Sequence, residues 1–473
     1  MKTDVDGIEI SVGTEDARDA WNGLVRGFLS HGASTPKHLG RLIDLEPHSP
    51  LGHATRALMS LTMGRRAMTQ TARAALVDAE AAAKNIAPTP RETVLIEAAR
   101  HWCAGHPDRA AHALDAYLDR VPHDSFAMKM VQAIRFMLGD ARGMRRSLTR
   151  TAHAYGHDHP AHGFHLGARA FAWEETGDYD RAVDFGSAAL EHTEDDAWAL
   201  HAVAHVHDMR ADPKAGLAWL EGRDGSFTHC NNFRYHVWWH KALMLLEQGR
   251  HDEALTLYDA EVRREHTDDY RDISNATSLL ARLMLEGVDV GDRWQELADL
   301  SENNAEDETL TFGDMHTMLA LVGDNRKDAQ ARLIAATARG AKRDDAVGRV
   351  MRDPGVALAQ GLEAFGEGDH DRAAPLLASA RPHFPTMGGS HAQRDVFERI
   401  AIEAQIRAGH LDTARRLLAA RSEQRGGHED SFARSRTALV RQATSLAAEG
   451  MSGTHGSHAR LVADPSRSRD IRG

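Results

Sequence analysis

Cysteine is nearly absent from this chain of 473 residues. The two cysteines, Cys103 and Cys230, lie 127 positions apart. They form neither a disulfide framework nor the C-x-x-C pattern of a zinc site. This spacing excludes the disulfide-dense secreted scaffolds and fits a reducing compartment, so we expect a cytoplasmic protein.

Long apolar runs are also missing. No stretch approaches the roughly 18 consecutive apolar residues that a membrane-spanning helix needs, and the N-terminal segment is acidic without the apolar stretch of a secretory signal. We therefore expect no membrane partner, and we interpret residues 1–15 as an N-terminal extension.

An excess of positive charge is absent as well. Lys and Arg total 57 against 69 Asp and Glu, which gives a net charge of -12, and no Lys/Arg block interrupts this balance. A polyanion is a poor match for such a chain, so we expect no nucleic-acid partner. The motifs GxxxxGK[ST], GxSxG and HExxH are missing, which weighs against the nucleotide-dependent and hydrolase classes that need them. The residue in excess is histidine, with 30 copies against 6 tyrosines.

A short turn recurs along the chain. A Gly, once an Ala, precedes a polar stretch and then a helical run containing Ala, as in "TGDYDRAVDF" and "QGRHDEALTLY". The turn residues are Gly105, Gly139, Gly177, Ala211, Gly249, Gly287, Gly323, Gly368 and Gly409. Successive spacings are 34, 38, 34, 38, 38, 36, 45 and 41 residues, close to the period of tetratricopeptide repeats, whose unit is two antiparallel helices. Gly at such a turn predicts a left-handed helix cap.

The segments between the turns have the apolar spacing of helices. Apolar residues in 179–190 recur three and four positions apart, and alternating strand patterns are rare. We predict an all-α fold, a tetratricopeptide-like α-solenoid of roughly eight to ten antiparallel helical hairpins. The solenoid spans residues 91–449, a helical capping segment spans 16–90, and the polar stretch 450–473 is predicted to be a disordered tail.

The repeat frame predicts which side chains face the concave groove. Positions taken from the tetratricopeptide family, combined with the 3.6-residue period, orient two neighbouring inner helices toward one space. Of the adjacent tryptophans, Trp238 is expected to pack in the core and Trp239 to line the groove. The groove-facing polar residues are Glu175, His201, His205, Asp208, His236, His240 and Glu247.

Histidines four apart on one helix face suit metal binding, because both imidazoles can reach one divalent ion. The segment "FGDMHTM" adds Asp314 and His316 as further ligands, although the frame puts His316 at a packing position. With this many histidines, composition alone yields about two pairs at that spacing. The evidence for a site is therefore that two pairs face one groove, and not the number of pairs. The same histidines would also serve as hydrogen-bonded walls of a metal-free pocket, and both interpretations stay open.

Five ordered motifs resemble the tetratricopeptide repeat protein 38 family. They are "DAWALHAVAHVHDM", "YHVWWHKALMLLEQGRHDEALTLYD", "RLMLEGVDVGDRW", "FGDMHTMLAL" and "GGSHAQRDVFERI". The resemblance covers about residues 160 to 425. The chain departs from the family pattern at Val237 and His391. The polar residues that the resemblance implies for the groove are Glu175, His201, His205, Asp208, His236, His240, Asp314, His316 and Arg394.

Two functions are compatible with these residues. The first is a pocket that binds a divalent metal (zinc, iron or manganese) and a small molecule, with or without metal-dependent catalysis. His201, His205, His236, His240, Asp314 and His316 would be the ligands, and Glu175, Asp208, Trp239, Glu247 and Arg394 would line the pocket. The second is a metal-free scaffold that binds a peptide or a protein partner in its concave groove.

Overall fold

Helices make up almost all the regular structure. The computed structural model describes residues 1–452, and the chain begins with a two-stranded antiparallel sheet, β1 (Lys2–Thr3) and β2 (Glu9–Ile10). The predicted tail therefore lies outside the described residues, apart from positions 450–452 at the end of the last helix.

The helices follow one another with short connections. The first twelve are α1 (Glu15–Leu29), α2 (Thr35–Leu45), α3 (Pro50–Leu61), α4 (Arg66–Asn85), α5 (Pro90–Cys103), α6 (Pro107–Leu118), α7 (Ser125–Met137), α8 (Ala141–Thr151), α9 (His162–Glu174), α10 (Tyr179–His192), α11 (Ala197–Met209) and α12 (Pro213–Leu220). The next twelve are α13 (Phe233–Glu247), α14 (His251–Leu257), α15 (Tyr270–Leu285), α16 (Arg293–Glu302), α17 (Thr311–Gly323), α18 (Lys327–Gly340), α19 (Ala346–Val350), α20 (Val356–Gly366), α21 (His370–Ala380), α22 (His391–Arg407), α23 (Leu411–Gln424) and α24 (Ser431–Ser452).

The predicted all-α fold, a tetratricopeptide-like solenoid, is confirmed. Successive helices from α5 onward pair as hairpins: α5–α6, α7–α8, α9–α10, α11–α12, α13–α14, α15–α16, α17–α18, α20–α21 and α22–α23. The first helix of one hairpin also packs on the first helix of the next, as in α9–α11, α11–α13 and α13–α15. These first helices form an inner layer, so their inward faces meet in the interior.

The turns that revealed the repeat have the expected backbone, with one correction. Ala211 has a φ of 53°, so it occupies the left-handed conformation without being glycine. The prediction of Gly323 as a turn residue was wrong, because Gly323 ends α17 and the left-handed residue is Asn325, with a φ of 56°. Gly323 is needed for packing instead: a Cβ there would lie 2.2 Å from the ring of Trp294.

The superhelix closes on itself. Residues far apart in sequence meet where one superhelical turn lies against the next. The contacts that join the turns are Asn231 N to His31 O (2.7 Å), Arg65 to Asp307 (2.8 Å), Ala346 N to Gly105 O (3.1 Å), His391 N to Glu175 (2.8 Å) and Arg436 to Glu286 (2.9 Å). The inner helices α11 and α15 also pack against α22, so protein covers part of their concave side and the interior is not an open groove along its whole length.

The N-terminal extension is held by buried charges. Arg91 is fully buried and forms ion pairs with Asp4 of the extension and with Asp124, which lies 2.6 Å away. Asp6 accepts a hydrogen bond from the amide of Ser125, at 3.0 Å. The extension is thereby attached to the first turn of α7. Across residues 1–452, no helix combines the length and apolarity that a membrane crossing requires.

Candidate metal centre

Two neighbouring inner helices carry the four predicted histidines. His201 and His205 lie one turn apart on α11, and His236 and His240 repeat that spacing on α13, so each pair shares a helix face. Asp196 fixes the start of α11 by accepting hydrogen bonds from the first backbone amides of the helix. The direct packing of α11 on α13 turns the two pairs toward each other.

The four imidazoles converge through their Nε2 atoms. The Nε2 of His201 lies 2.8 Å from that of His205 and 3.1 Å from that of His236. The Nε2 of His240 lies 3.3 Å from that of His236, and one donor atom from each of the four lies within 4.8 Å of all the others. All four side chains are buried, and His236 is the most exposed at 8%.

These contacts cannot all be hydrogen bonds between neutral imidazoles. The Nδ1 of His236 lies 2.8 Å from Oδ1 of Asn275, so Nδ1 carries the proton and Nε2 offers a lone pair. That lone pair can accept one hydrogen bond, but the Nε2 atoms of both His201 and His240 approach it. A cation at the common point removes the conflict, because all four Nε2 atoms then present lone pairs to it.

The spacing fits a transition-metal ion. Imidazole nitrogens bind zinc at about 2.0–2.1 Å, which puts the ligands of a tetrahedral site about 3.3 Å from one another. Three of the Nε2 pairs span 2.8 to 3.3 Å. All-imidazole ligand sets suit zinc, iron, copper and nickel better than manganese, which prefers oxygen donors.

Burial keeps three of the four rings neutral. It lowers the pKa of His201 and of His240 well below the usual value, and it lowers the pKa of His236 to about 3. His205 differs: burial lowers its pKa most strongly, but the nearby acids Glu174, Glu175 and Asp208 together hold the pKa of His205 above its ordinary value. Neutral imidazole is the form that binds a metal.

Two outer residues orient the rings, and the sequence reasoning missed both. Asn275 on α15 accepts from His236 as described, and Glu174 places Oε2 3.5 Å from Nδ1 of His205. Glu174 is the chain neighbour of the predicted Glu175, so helical periodicity alone did not separate the two acids. Asn275 stands in a polar run of α15, "DISNATS", which was a signal that this inner helix also faces polar groups.

Aromatic rings enclose the histidines. Trp239 is fully buried and stacks on His236, with ring centroids 5.1 Å apart and an interplanar angle of 16°. Phe171 stacks on His201 at 5.5 Å. Trp238 is half-buried and packs on the ring of Phe227, so Trp239 is the tryptophan that lines the site.

The structure does not bring Asp314 or His316 to the four histidines. Both lie on α17, which packs on α15 and α16. His316 is buried with its Nδ1 3.0 Å from Oγ1 of Thr277, and Asp314 interacts electrostatically with Asp307 and Glu308. The packing position that the repeat frame gave His316 explains its placement.

The other predicted pocket residues form contacts between superhelical turns. Glu175 accepts the amide of His391 and lies 3.6 Å from Arg394. Glu247 accepts both the amide and the hydroxyl of Ser431, at 2.6 and 2.7 Å. Asp208 lies one turn beyond the histidines of α11, 3.6 Å from Arg425. These acids position the C-terminal helices over the site.

A second polar group lies beside the histidines. The Nζ of Lys129, a residue that is 8% exposed, is 2.9 Å from Nε2 of His31. The ring of Trp198 lies 4.8 Å from that Nζ and 5.0 Å from the ring of His201. Burial lowers the pKa of Lys129 to about 8. Three residues later, Gln132 is buried, and neither of its amide atoms has a hydrogen-bond partner within the described chain.

No protein-family model matches this chain. Among solved structures, the chain is similar to one in the structure of Naa15/Naa10 bound to HypK-THB, at 16% sequence identity and a TM-score of 0.23. The alignment covers 91% of this chain and 80% of that chain.

Proposed function

We propose that this protein holds one divalent transition-metal ion on the Nε2 atoms of His201, His205, His236 and His240, and binds a small polar molecule beside it. The observation that carries the proposal is the convergence of the four Nε2 atoms inside an enclosed interior. Chance placement of surface histidines does not produce four buried rings that compete for the same protons.

The ligand set favours zinc or iron over manganese. Four imidazoles fill a tetrahedral zinc site, which makes a zinc site structural. Iron accepts further ligands, so it would leave positions for a small molecule after the histidines have bound. Lys129, whose Nζ lies against the ring of Trp198 next to His201, would supply a polar group for such a molecule.

The enclosure favours a small ligand over a peptide. A scaffold that binds peptides needs an open groove, whereas the histidines here are at most 8% exposed and the superhelical turns contact each other over the concave side. The two free cysteines support a cytoplasmic location. We also propose, from the five ordered motifs, membership of the tetratricopeptide repeat protein 38 family.

Elemental analysis tests the metal directly. The full chain, purified without an affinity tag that binds metal, is measured beside the double variant His205→Ala/His240→Ala. A matched control is His153→Ala/His157→Ala, because these histidines have the same spacing but are exposed. We expect about one ion per chain in the wild type and the control, and none in the site variant.

Two outcomes contradict the proposal. Metal-free wild-type protein, also after dialysis against zinc and iron(II), would leave the histidines as pocket walls. Equal metal content in the site variant and the wild type would place the ion elsewhere. Circular dichroism of the variant shows whether loss of metal is separate from loss of fold.

A further inference from the structure

Glu174 is a buried acid without the partners that a buried acid requires. It is completely inaccessible to solvent, and neither carboxylate oxygen has a hydrogen-bond partner among residues 1–452. Its Oε2 lies 3.5 Å from Nδ1 of His205, and this nitrogen also lacks a hydrogen bond of good geometry. Good hydrogen bonds of this type span 2.7 to 3.2 Å, so this contact is long and leaves both groups incompletely satisfied.

A second acid lies in the same place. One donor atom from each of Glu174, Glu175 and His205 lies within 4.8 Å of the other two. Glu175 has some compensation, since its Oε1 accepts the amide of His391 at 2.8 Å and its Oε2 lies 3.6 Å from Arg394. Glu174 has only His205.

The helix makes this acidic pair more costly. Glu174 is the last residue of α9 and Glu175 is its C-cap. The free carbonyls at a helix C-terminus give that end a partial negative charge, which favours cations and disfavours carboxylates. Two buried acids at such an end therefore require positive charge. Arg394 is the permanent cation beside them, and His205 and His391 add positive charge only when they are protonated.

We propose that Glu174, Glu175 and Nδ1 of His205 form a second divalent-metal site, and that the imidazolate of His205 bridges it to the four-histidine site. This inference rests on the proposed function. The 3.5 Å between Oε2 and Nδ1 suits two ligands that each lie about 2.0–2.2 Å from one ion. On binding, the second ion displaces the ring proton of His205, and this proton is released to water.

The alternative is an outer-shell role, in which Glu174 accepts a proton from His205 while that ring binds one ion. Carboxylates commonly orient a metal-ligating histidine in this way. In this protein that role would occupy one oxygen of Glu174 and leave the other buried without a partner. In a bridging site, both ring nitrogens of His205 and the carboxylate of Glu174 bind metal. The second ion also explains why Glu175 lies beside them.

Copper(II) titration separates the two arrangements, because copper has the highest affinity for imidazole sites and reports by electron paramagnetic resonance. The full-length protein is stripped of metal, loaded with copper(II) and dialysed. We expect two ions per chain in the wild type, with an integrated spin signal well below two, because an imidazolate bridge couples the two spins.

The variant Glu174→Gln removes the charged ligand with little change of shape. We expect one copper ion per chain and a full single-spin signal. Glu191→Gln, an exposed acid on α10, is the matched control and should retain two coupled ions. The single ion retained by Glu174→Gln would also show that the fold and the four-histidine site are intact.

The results that overturn the inference differ from those that overturn the proposed function. One uncoupled ion in both the wild type and Glu174→Gln gives Glu174 the outer-shell role and leaves the four-histidine site standing. Two ions in both proteins place the second ion away from Glu174. No retained ion in the wild type removes both sites.

Discussion

The Nε2 atoms of His201 and His205 lie 2.8 Å apart, although the residues belong to the same helix and are separated by one turn. Helical geometry puts these side chains on one face, but it does not make both rings turn the same nitrogen to one point. That orientation comes from neighbours: Glu174 stands behind His205, and Phe171 stacks on His201. The packing around the rings therefore sets their orientation.

Metal removal should destabilise the fold. The four histidines come from two different hairpins, so an ion that they share stabilises the packing of α11 on α13. A ligand that binds only the native state adds about 2.7 kcal/mol to the free energy of unfolding when present at 100 times its dissociation constant. We expect the thermal unfolding temperature to fall after treatment with chelator and to recover when zinc or iron(II) is restored.

The variant His236→Ala is the test of where this stabilisation arises. It should unfold at the same temperature with and without metal, whereas the exposed double variant His153→Ala/His157→Ala should keep the full difference. An identical metal-dependent shift in His236→Ala would show that the stabilising ion binds outside the four-histidine site.

Loss of the Asn275 side chain should weaken metal binding without removing it. Its Oδ1 lies 2.8 Å from Nδ1 of His236 and keeps the proton on that nitrogen. Outer partners of this type contribute about 10–100-fold to metal affinity. Asn275→Ala should lower the affinity for zinc by that factor in a competition titration with a chromophoric chelator. The exposed Asn303→Ala is the control, and equal affinities for the two variants would contradict an orienting role.

The turn spacing was sufficient to predict the fold, since it gave a period close to one hairpin. The same frame gave the inward direction of His201 and His236, because the facing of an inner helix follows from periodicity. Gly323 shows the limit of this approach. Its sequence context resembles the other turns, but the ring of Trp294 occupies the space where a side chain would stand, and that contact is tertiary.

The parts of the site that were missed depend on contacts distant in sequence. His31 reaches Lys129 because the loop after α1 lies against residues 229–231, and nothing in the local sequence encodes that approach. The frame predicts that Asp208 and Glu247 face inward. In the folded chain, Asp208 pairs with Arg425 and Glu247 accepts a hydrogen bond from Ser431. A frame for single repeats cannot predict how the whole superhelix closes.

Asp6 should make the stability fall as the pH rises through 6. Burial raises the pKa of Asp6 to about 6 in the folded protein, from an ordinary value of 3.8. The folded state therefore binds this proton more tightly than the unfolded state does. The stabilisation is complete below pH 4 and is lost as the pH rises through about 6.

Comparison with Asp6→Asn isolates this effect, because every other titration is common to both proteins. Between pH 5 and pH 7 the wild type should lose about 1 kcal/mol of unfolding free energy relative to the variant. Denaturant unfolding at the two pH values measures the difference. A difference between the proteins that does not change with pH would show that Asp6 titrates normally.

Arg421 should be the most sensitive position of the C-terminal region. It is 1% exposed and donates to Asp395 at 2.6 Å and to Asp430 at 3.0 Å. Arg421→Met leaves two buried carboxylates with less compensation, which should cost about 3–5 kcal/mol in denaturant unfolding. The exposed ion pair of Arg415 with Asp412 provides the control, since Arg415→Met should change stability by less than about 1 kcal/mol. Similar losses in both variants would contradict the buried network.

Arg65 should control how tightly the superhelix closes. It stands between α3 and α4, and its guanidinium reaches Asp307 at 2.8 Å and the carbonyl of Asp268 at 2.9 Å, one superhelical turn later. Each hydrogen bond from a charged donor contributes about 1.5–3 kcal/mol. Arg65→Met should therefore open this contact more often while leaving the four histidines in place.

Hydrogen exchange followed by mass spectrometry resolves this local change. We expect exchange at least about 10-fold faster in peptides that span residues 62–66 and 304–310, because a loss of about 1.4 kcal/mol already changes the opening equilibrium tenfold. The metal content should be unchanged. Arg100→Met, which removes an exposed ion pair with Glu80, should leave both peptides unchanged. If closure excludes large ligands from the interior, faster exchange at these two segments should be accompanied by faster removal of the bound metal by a bulky chelator. An unchanged rate of removal would mean that access to the histidines lies elsewhere.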